Sequence, residues 1–529
     1  MTPEELEALS RPGPLPRMED PWLKDIPAIA DHALEILDKL QDRETLLREI
    51  SLLKDDDHYI DYNDTLRCNC THAGNGERFI LWYGHITRYC PPFEWWYIWN
   101  DKEGRWARDD MGIVCELGKN VVRNLYLEAH NAPTRERREK VSKWAVKCEN
   151  PGSVNQLLES ARTDTSLAVS IDLFDSESYH LNLLNGWVDL NSMEFHPHTK
   201  KKFFTMVLPF EYSPVATCPQ WLAFLNRIFR SNPEKDRVIA FLQKAVGYTL
   251  TGDTSERLVF LMHGLGANGK TVFIRVLEAL FGEYGSSVSS TTFTTAMTTN
   301  VRNDIAKLKG KRFVWASENA TGTVLDEEMI KRASGGDTLV CRFLHKEEFS
   351  YRPNFKIWWI FNHKPAIKDA TDSIWDRIRL IPCLERIPSE EQDKKLVDKL
   401  ITELPGIFNW AIVGLKKFRN EGLAAPETVR VATGEYRNDE DALFDFLNDY
   451  FEIQKDKELS EDWRVSFKEI YDIYKAWSVD QGFKAPWSKT RIGKILGERF
   501  KQIRTDHGRS REYLGLRVKG QRSLGDKLG

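Results

Sequence analysis

One stretch of the sequence combines the residue types and the spacing that hold a chain of phosphates. It runs Gly264-Leu-Gly-Ala-Asn-Gly-Lys270-Thr271, a complete G-x-x-x-x-G-K-T motif. Glycines let successive backbone N–H groups turn inward around phosphates, the Lys270 ammonium would neutralise the β and γ oxygens, and the Thr271 hydroxyl would bind Mg²⁺. We expect ATP and Mg²⁺ as cofactors, with the nucleotide bound by Gly264, Gly266, Ala267, Asn268, Gly269, Lys270 and Thr271.

The neighbours of this motif are those that a phosphate loop requires. The apolar residues 258–262 precede it, as a strand should, and residues 272–280 follow with helical character. The positive end of that helix would then also face the phosphates. A chance glycine-rich turn would not have both neighbours in register, so we favour the nucleotide-binding interpretation.

A second apolar run, residues 313–316, ends near a carboxylate, Glu318. At the end of a strand Glu318 could orient the water that attacks the γ-phosphate, and through a water it could help to hold Mg²⁺. The alternative is a solvated glutamate at a strand end. With the phosphate loop present, we favour the catalytic and metal-binding role.

A third apolar run, residues 355–361, ends in Asn362. A side-chain amide at a strand end beside the acid can sense the γ-phosphate and place the attacking water. We therefore expect Asn362 to belong to the catalytic site.

Arg377 follows fifteen positions later, within Ile-Trp-Asp-Arg-Ile-Arg. An arginine here could reach the nucleotide of a neighbouring subunit and neutralise the charge of the transition state, which implies a ring. The alternative is that Arg377 and Arg379 pair with Asp372 or Asp376 on the surface.

The elements that position these residues must belong to a chain of several domains, because a chain of 529 residues is too long for one hydrophobic core. We predict an α/β protein with an AAA+-type P-loop NTPase core, an α+β N-terminal domain, a helical connector and a C-terminal winged helix. The expected segments are N-terminal helices 1–53, an N-terminal domain 54–215, a connector or oligomerisation collar 216–255, an ATPase core 256–385, a helical lid 386–443 and a basic winged-helix-like domain 444–529.

Composition excludes some classes of protein. The chain is 41% hydrophobic and 29% charged, and its longest apolar stretch, residues 357–361, is too short to cross a bilayer. The N-terminal residues do not have the pattern of a secretory signal, so we expect a cytoplasmic protein without membrane association. Eight scattered cysteines then predict reduced thiols, and the Cys68, Cys70 and Cys90 region has weak spacing for structural zinc.

Two hairpins are expected in the N-terminal domain. One contains the tryptophans between residues 95 and 106, and the other, residues 184–195, turns at Asn185-Gly186. Apolar periodicity predicts two helices between residues 219 and 248.

The C-terminus is basic although the net charge of the whole chain is only −4; residues 484–522 contain 12 Lys or Arg against 3 Asp or Glu. Ser488 could cap a helix that buries Ile492, Ile495 and Leu496. The free basic residues of that helix, which we expect to bind DNA, are Lys489, Arg491 and Lys494. The alternative is a solvated basic face, since charge alone gives nonspecific affinity.

These motifs, in this order, resemble the superfamily 3 helicase core, specifically the phage/plasmid primase-helicase branch, which includes a poxvirus primase-helicase. The resemblance covers residues 60–520. It rests on the phosphate loop, Glu318, Asn362 and Arg377, which follow one another within about 120 residues. It also rests on the N-terminal motifs at residues 74–79, 88–90 and 184–190, and on the core motifs at 308–312, 325–327, 330–332 and 335–337.

The resemblance implies a hexamer that translocates 3′ to 5′ on single-stranded and forked DNA, with a hairpin, residues 342–349, in the pore. The tip of that hairpin would be His345 and Lys346, which could track phosphates, although an exposed basic turn is the alternative. Lys331 matches a basic position that reaches the adjacent subunit's phosphate in related motors.

In two respects the sequence departs from the family. Ser317 precedes Glu318 where many members carry paired acids, so the metal and water roles are shared differently. We also expect no primer synthesis by this chain, and therefore a separate primase or polymerase as a partner. The competing functions are a ring ATPase that remodels protein, kept open by Phe343 near the hairpin, and a replication initiator that binds DNA without unwinding it.

Overall fold

The computed structural model describes residues 65, 67–295, 302–317, 323–343, 348–367, 372–454, 462–480, 486–505 and 510–520. The described chain falls into two compact units. The first is the chain up to Ser176 together with Asn182–Trp187 and His196–Val207, and the second is the remainder. The six segments proposed from the sequence stay a prediction, and the helices expected in residues 1–53 lie outside the described residues.

The first unit combines four helices with a three-stranded antiparallel sheet. The helices are α1 (His72–Tyr83), α2 (Ile113–His130), α3 (Arg135–Cys148) and α4 (Pro151–Ala161). The strands are β1 (Thr87–Cys90), β2 (Trp95–Asn100) and β3 (Arg105–Arg108), in the order β1-β2-β3. The predicted tryptophan hairpin is confirmed as β2 and β3, in which Trp99 faces Trp106. Trp106 is fully buried, so the aromatic residues build the core of this unit.

The motif at residues 74–79 has a structural role in this unit. Arg78 is buried and donates hydrogen bonds to both carboxylate oxygens of Glu128, at 2.6 and 2.8 Å. A Cβ at Gly74 would lie 2.1 Å from the carbonyl oxygen of Asn69, which explains the glycine. The motif therefore fixes α1 against α2 by a buried ion pair. Removing one partner would destabilise the unit, because the other charge would stay buried without compensation.

The cysteines of the chain are free thiols, and burial raises the pKa of Cys68 and of Cys148 to about 11. Within the described ranges, no group of three or more His, Cys, Asp or Glu side chains could hold a metal ion. The structure thus gives no support to a zinc site at Cys68, Cys70 and Cys90.

A second three-stranded sheet follows, with the order β4 (His180–Leu183), β5 (Gly186–Asp189) and β6 (Glu194–His196). The predicted hairpin is confirmed, since Leu184 and Asn185 connect β4 to β5.

The two helices expected between residues 219 and 248 are also confirmed, as α5 (Pro219–Ile228) and α6 (Lys235–Leu250). A Cβ at Gly247 of α6 would lie 2.3 Å from the backbone nitrogen of Leu415. That residue belongs to the long helix 404–421, so the two helices approach backbone to backbone.

The centre of the second unit is a five-stranded parallel sheet. Its strands are β7 (Val259–His263), β8 (Gly285–Val288), β9 (Phe313–Ser317), β12 (Lys356–Phe361) and β13 (Ile378–Pro382). A separate hairpin lies between β9 and β12 along the chain and consists of β10 (Leu339–Arg342) and β11 (Glu348–Tyr351). The order across the parallel sheet is β13-β7-β12-β9-β8. β12 lies between β7 and β9 and is buried along its whole length, which explains its continuous apolar and aromatic sequence.

Helices connect and cover these strands. They are α7 (Lys270–Phe281), α8 (Asn303–Ala306), α9 (Glu327–Gly335), α10 (Asp372–Trp375), α11 (Leu396–Ile401) and α12 (Leu404–Glu421). The three strands that the sequence predicted around the site residues are thus present as β7, β9 and β12, and each end lies within one residue of its predicted position.

The C-terminal part forms its own core around a long helix. Its elements are α13 (Glu427–Tyr450), β14 (Phe451–Ile453), β15 (Arg464–Ser466), α14 (Phe467–Asp480), α15 (Lys489–Arg499), β16 (Gln502–Thr505), β17 (Ser510–Leu514) and β18 (Leu516–Val518). β15, β17 and β16 form one sheet in that order, and β14 pairs with β18. The Ser488 hydroxyl accepts a hydrogen bond from the backbone N–H of Arg491, which caps α15 as predicted.

In the part of the chain that the structure describes, every helix is too short or too polar to cross a membrane.

Candidate nucleotide-binding site

The phosphate loop lies between the carboxyl end of β7 and the first residue of α7. Its backbone is left-handed at Gly266, Ala267 and Gly269, with φ of 101°, 49° and 83°. A Cβ at Gly264 would lie 2.1 Å from the Asn268 amide nitrogen and 2.2 Å from the carbonyl oxygen of Cys383. Glycine is therefore required at two positions of the motif for different reasons: at Gly269 by backbone conformation, and at Gly264 by close packing.

Lys270 projects into the centre of this loop. Its ammonium donates to the Gly264 carbonyl at 2.6 Å, to the Asn268 amide oxygen at 2.9 Å and to the Asn362 amide oxygen at 3.2 Å. The residue is 5% exposed, and burial lowers the pKa of its ammonium. The structure thus brings together Lys270 and Asn362, residues from two strand ends that the sequence assigned to one site.

The remaining predicted residues of this site lie at the same edge or outside the described residues. Thr271 is exposed in the first turn of α7, where its hydroxyl can reach a metal ion bound to phosphate. β9 ends at Ser317, which pairs with Ile360 near the end of β12. Glu318, the next residue, lies outside the described residues, and its catalytic and metal-binding roles stay a prediction.

A cleft of about 420 Å³ opens beside the phosphate loop. Its walls consist of the loop and the start of α7, the end of β12, Phe224 of α5 and the segment before α11. Three apolar side chains, Phe224, Ile387 and Leu396, form the apolar wall of the cleft. The other lining residues outside the phosphate loop and its helix include the polar or charged side chains of Asn362, Glu391, Gln392, Asp393 and Lys394. An apolar wall beside a phosphate-binding loop suits the base and ribose of a nucleotide.

Sequence reasoning missed this apolar wall. Phe224 falls within the two helices predicted between residues 219 and 248, and residues 387–396 contain no motif. Arg227 connects α5 to the segment before α11, since its guanidinium lies 2.7 Å from a carboxylate oxygen of Glu385 and 2.7 Å from one of Glu391. The signal that the sequence contains is the group of acids in 385–391, Glu385, Glu390 and Glu391, which can pair with a basic residue such as Arg227 of α5.

His263 lies directly before the phosphate loop and is buried. Burial, together with the positive charges of Lys364, Lys494 and Lys270, lowers its pKa to about 3. The imidazole is therefore neutral near pH 7 and adds no charge beside the phosphate loop.

Arg377 lies at the opposite edge of the sheet from Lys270. It directly precedes β13, and its carbonyl accepts the backbone N–H of Val259 at the amino end of β7. The strand length of five residues separates the two edges by about 16 Å. The structure therefore does not bring Arg377 to the phosphate loop of its own chain.

The half-buried Arg377 guanidinium donates to the Ser334 hydroxyl at 3.3 Å. The alternative interpretation, surface pairing with nearby acids, does not describe the observed contacts of Asp372 and Arg379. Asp372 pairs with Arg437 at 2.5 Å, and Arg379 donates to the backbone carbonyls of Asp376 and Ile378.

Lys331 belongs to the same region as Arg377. It lies one helical turn before Ser334 on α9, and its ammonium is 3.8 Å from a carboxylate oxygen of Glu327. Lys331 thus lies on the helix whose Ser334 hydroxyl contacts Arg377.

The candidate DNA-binding residues are only partly free. Ile492, Ile495 and Leu496 are buried as predicted, and Lys489 and Lys494 are exposed. The expectation of a free Arg491 is wrong. Its guanidinium forms an ion pair with Asp439 of α13 and lies 4.2 Å from the centre of the Trp487 ring, while the side chain stays partly exposed to solvent. His345 and Lys346 lie outside the described residues.

Two family profiles match the chain. Residues 76–230 match the family described as D5 N terminal like, and residues 262–378 match one described as a family of unknown function (DUF5906). The second match begins at β7 and ends at the start of β13, so it includes the phosphate loop, Asn362 and Arg377.

Relatives among viral proteins carry helicase names. "Putative helicase 121R" of Invertebrate iridescent virus 3 is 24% identical over 448 residues, 78% of this chain and 46% of the relative. "Putative helicase L207/L206" of Acanthamoeba polyphaga mimivirus is 23% identical over 324 residues, 57% of this chain and 33% of the relative. The chain thus spans between a third and about half of the length of these relatives.

Among solved structures, the apo structure of the NrS-1 C terminal region is similar to this chain. The identity is 12%, the TM-score is 0.42, and the match covers 82% of this chain and 96% of that one.

The profile over residues 76–230 and the viral helicase relatives agree with each other and with the order of motifs along the chain. Together they support a likeness of this chain to the D5-like primase-helicase family.

Proposed function

We propose that this chain is an ATP-dependent DNA helicase of superfamily 3, which acts in DNA replication of the phage and plasmid type. The observation that carries the proposal is the division of the site between two edges of one sheet. Lys270 and Asn362 converge on the cleft at the carboxyl edge, whereas Arg377 lies at the amino edge. Nucleotide would then be bound between subunits, with ATP and Mg²⁺ held by one chain and Arg377 and Lys331 supplied by the next.

This arrangement favours a ring, and we propose a hexamer that moves 3′ to 5′ on single-stranded DNA. Arg377 cannot serve its own phosphate loop across the sheet, but it can serve a neighbour's loop in a head-to-tail assembly. The position of β12 supports an AAA+-type core, because the strand that carries Asn362 lies between the loop strand and the strand before Glu318. Asn362 can therefore contact both the phosphates and the attacking water.

The C-terminal elements support a winged-helix domain. α14 and α15 are followed by a β-hairpin, and β15 pairs with the second strand of that hairpin. In such domains the second helix enters the major groove, so α15 is our candidate for duplex contact, with Lys489 and Lys494 on its exposed face.

Protein remodelling was the alternative suggested by Phe343. Phe343 and Phe349 stack with ring centres 5.6 Å apart and pack against the core of the sheet. Because both rings are partly buried against that core, they are poorly placed to grip a polypeptide, which favours DNA as the substrate.

Strand displacement tests the helicase proposal directly. With ATP and Mg²⁺ the full chain should unwind a forked duplex that carries a 3′ single-stranded tail, and a fork with only a 5′ tail should remain paired. The measurement is release of the labelled strand, with the Lys270→Ala chain as control. ATP hydrolysis stimulated by DNA without strand release would contradict the helicase and favour an initiator or a remodeller.

Replacing Lys489 and Lys494 together by alanine should weaken binding to duplex DNA about equally for all sequences. Each phosphate contact contributes about −0.9 to the slope of log affinity against log salt concentration, so the slope should become shallower by about two units. The measurement is a salt titration by fluorescence anisotropy.

The matched control for that pair is Lys468→Ala, which removes an exposed lysine from α14. A double variant whose salt slope equals that of the wild type would show that α15 does not contact phosphates.

A further inference from the structure

One continuous helix joins the core of the ATPase sheet to the core of the C-terminal module. α13 has 24 residues and is about 36 Å long. Tyr436 in its first half belongs to the core of the parallel sheet, and Phe446 in its second half belongs to the C-terminal core. Because the helix is unbroken, it connects the two cores directly.

Asp439 lies between those two cores and contacts both sides. One carboxylate oxygen is 3.6 Å from the ammonium of Lys364, two residues after Asn362. The other pairs with Arg491 of α15. A single carboxylate is thus shared between the loop that follows the nucleotide-sensing strand and the basic helix.

Glu440, the next residue, repeats this arrangement in a more buried position. It accepts a hydrogen bond from the backbone N–H of Ile367 at 3.0 Å and pairs with Arg499, the last residue of α15, at 2.5 Å. Glu440 is 4% exposed, so its charge is poorly screened and the pairing with Arg499 is costly to lose.

Asp439 and Glu440 contact the same loop, residues 362–367, at Lys364 and at Ile367. This loop starts at Asn362 of the candidate nucleotide-binding site. Asn362 contacts Lys270, Lys364 lies over the Tyr436 ring at 5.1 Å, and the Pro365 carbonyl accepts the Tyr436 hydroxyl. A shift of α15 relative to α13 would therefore change the ion pairs of Asp439 and Glu440, and with them the contacts that these two residues make with residues 362–367. A shift of Asn362 would act on α15 through the same contacts.

We propose that Asp439 and Glu440 are positioning residues that couple DNA bound at α15 to the nucleotide held by Lys270 and Asn362. DNA phosphates compete with Asp439 for Arg491, which leaves the carboxylate of Asp439 to Lys364 alone and shifts the loop that starts at Asn362. The inference rests on the proposed function for the two ligands, and by linkage each ligand changes the affinity of the other by the same factor.

The test compares DNA affinity with and without a non-hydrolysable ATP analogue and Mg²⁺, for the full chain and its Asp439→Asn and Glu440→Gln variants. Asparagine and glutamine keep the size of each side chain, and glutamine keeps an acceptor for Ile367. The wild type should show a change in DNA affinity of about fivefold or more, within the ordinary range for coupled sites. Each variant should reduce that ratio to about one.

Glu435→Gln is the matched control, since it removes an exposed acid one turn earlier on the same helix. It should keep the wild-type ratio, and thermal melting checks that all variants are folded. Asp439→Asn and Glu440→Gln chains that both keep the wild-type ratio would overturn the coupling, as would a wild-type ratio of one. The assay needs no ATP hydrolysis, so it is independent of strand displacement. A chain that couples DNA binding to nucleotide binding but does not displace a strand would contradict the helicase proposal and support the role of Asp439 and Glu440.

Discussion

Replacing Lys270 by alanine is expected to lower the rate of ATP hydrolysis by at least about a hundredfold. Preorganised groups aimed at developing charge contribute rate factors of this size. The Lys270 ammonium is held within 2.6 to 3.2 Å of three oxygens at the mouth of the phosphate loop, so its position is fixed before phosphate is bound. The measurement is steady-state phosphate release with ATP and Mg²⁺ in the presence of single-stranded DNA.

Lys416→Ala is the control for this loss, because Lys416 is an exposed lysine on α12, outside the cleft. It should hydrolyse ATP at the wild-type rate. A Lys270→Ala chain that retained more than a tenth of the wild-type rate would show that the loop does not hold the reacting nucleotide.

Replacing Arg377 by alanine is expected to lower kcat by about a thousandfold while nucleotide binding is retained. Arginine fingers are worth about 10³ to 10⁵ in kcat because they neutralise charge that develops in the transition state. The guanidinium lies at the edge of the sheet opposite its own phosphate loop, so the effect should require a second subunit. Nucleotide affinity is measured with a fluorescent ATP analogue and kcat by phosphate release, and Arg275→Ala, an exposed arginine on α7, serves as control.

Mixing the two inactive chains tests the shared site. Where an Arg377→Ala chain contributes Lys270 and a Lys270→Ala chain contributes Arg377, the junction has both groups and should hydrolyse ATP. The mixture should therefore recover activity that neither variant has alone. A mixture as inactive as its components, or an Arg377→Ala chain with the wild-type kcat, would rule out the site between subunits.

The elements around the phosphates could be predicted because their signals are local. The strand before the phosphate loop and the strand before Asn362 are continuous apolar runs, as expected for parallel strands buried on both faces. Parallel topology then places their carboxyl ends at one edge, which is why Lys270 and Asn362, 92 residues apart, could be assigned to one site.

The apolar wall of the cleft could not be predicted because its residues are brought together from distant parts of the chain. Phe224 fits the apolar face of a helix, and Ile387 and Leu396 belong to a segment without a motif. Arg491 was expected to be free for the same reason. Its partner, Asp439, lies 52 positions earlier on another helix, and an ion pair over that distance leaves no pattern in the sequence.

The strand β13 has a mechanical consequence in a ring of such chains. Arg377 lies before its first residue, and Cys383, directly after its last, accepts a hydrogen bond from the Asn268 amide of the phosphate loop at 2.9 Å. In the proposed ring, the two ends of this short, hydrogen-bonded strand would lie at two successive nucleotide sites. ATP hydrolysis that displaces one end of the strand would also displace the other end. The stiffness of these five residues would then set the order in which adjacent sites hydrolyse ATP.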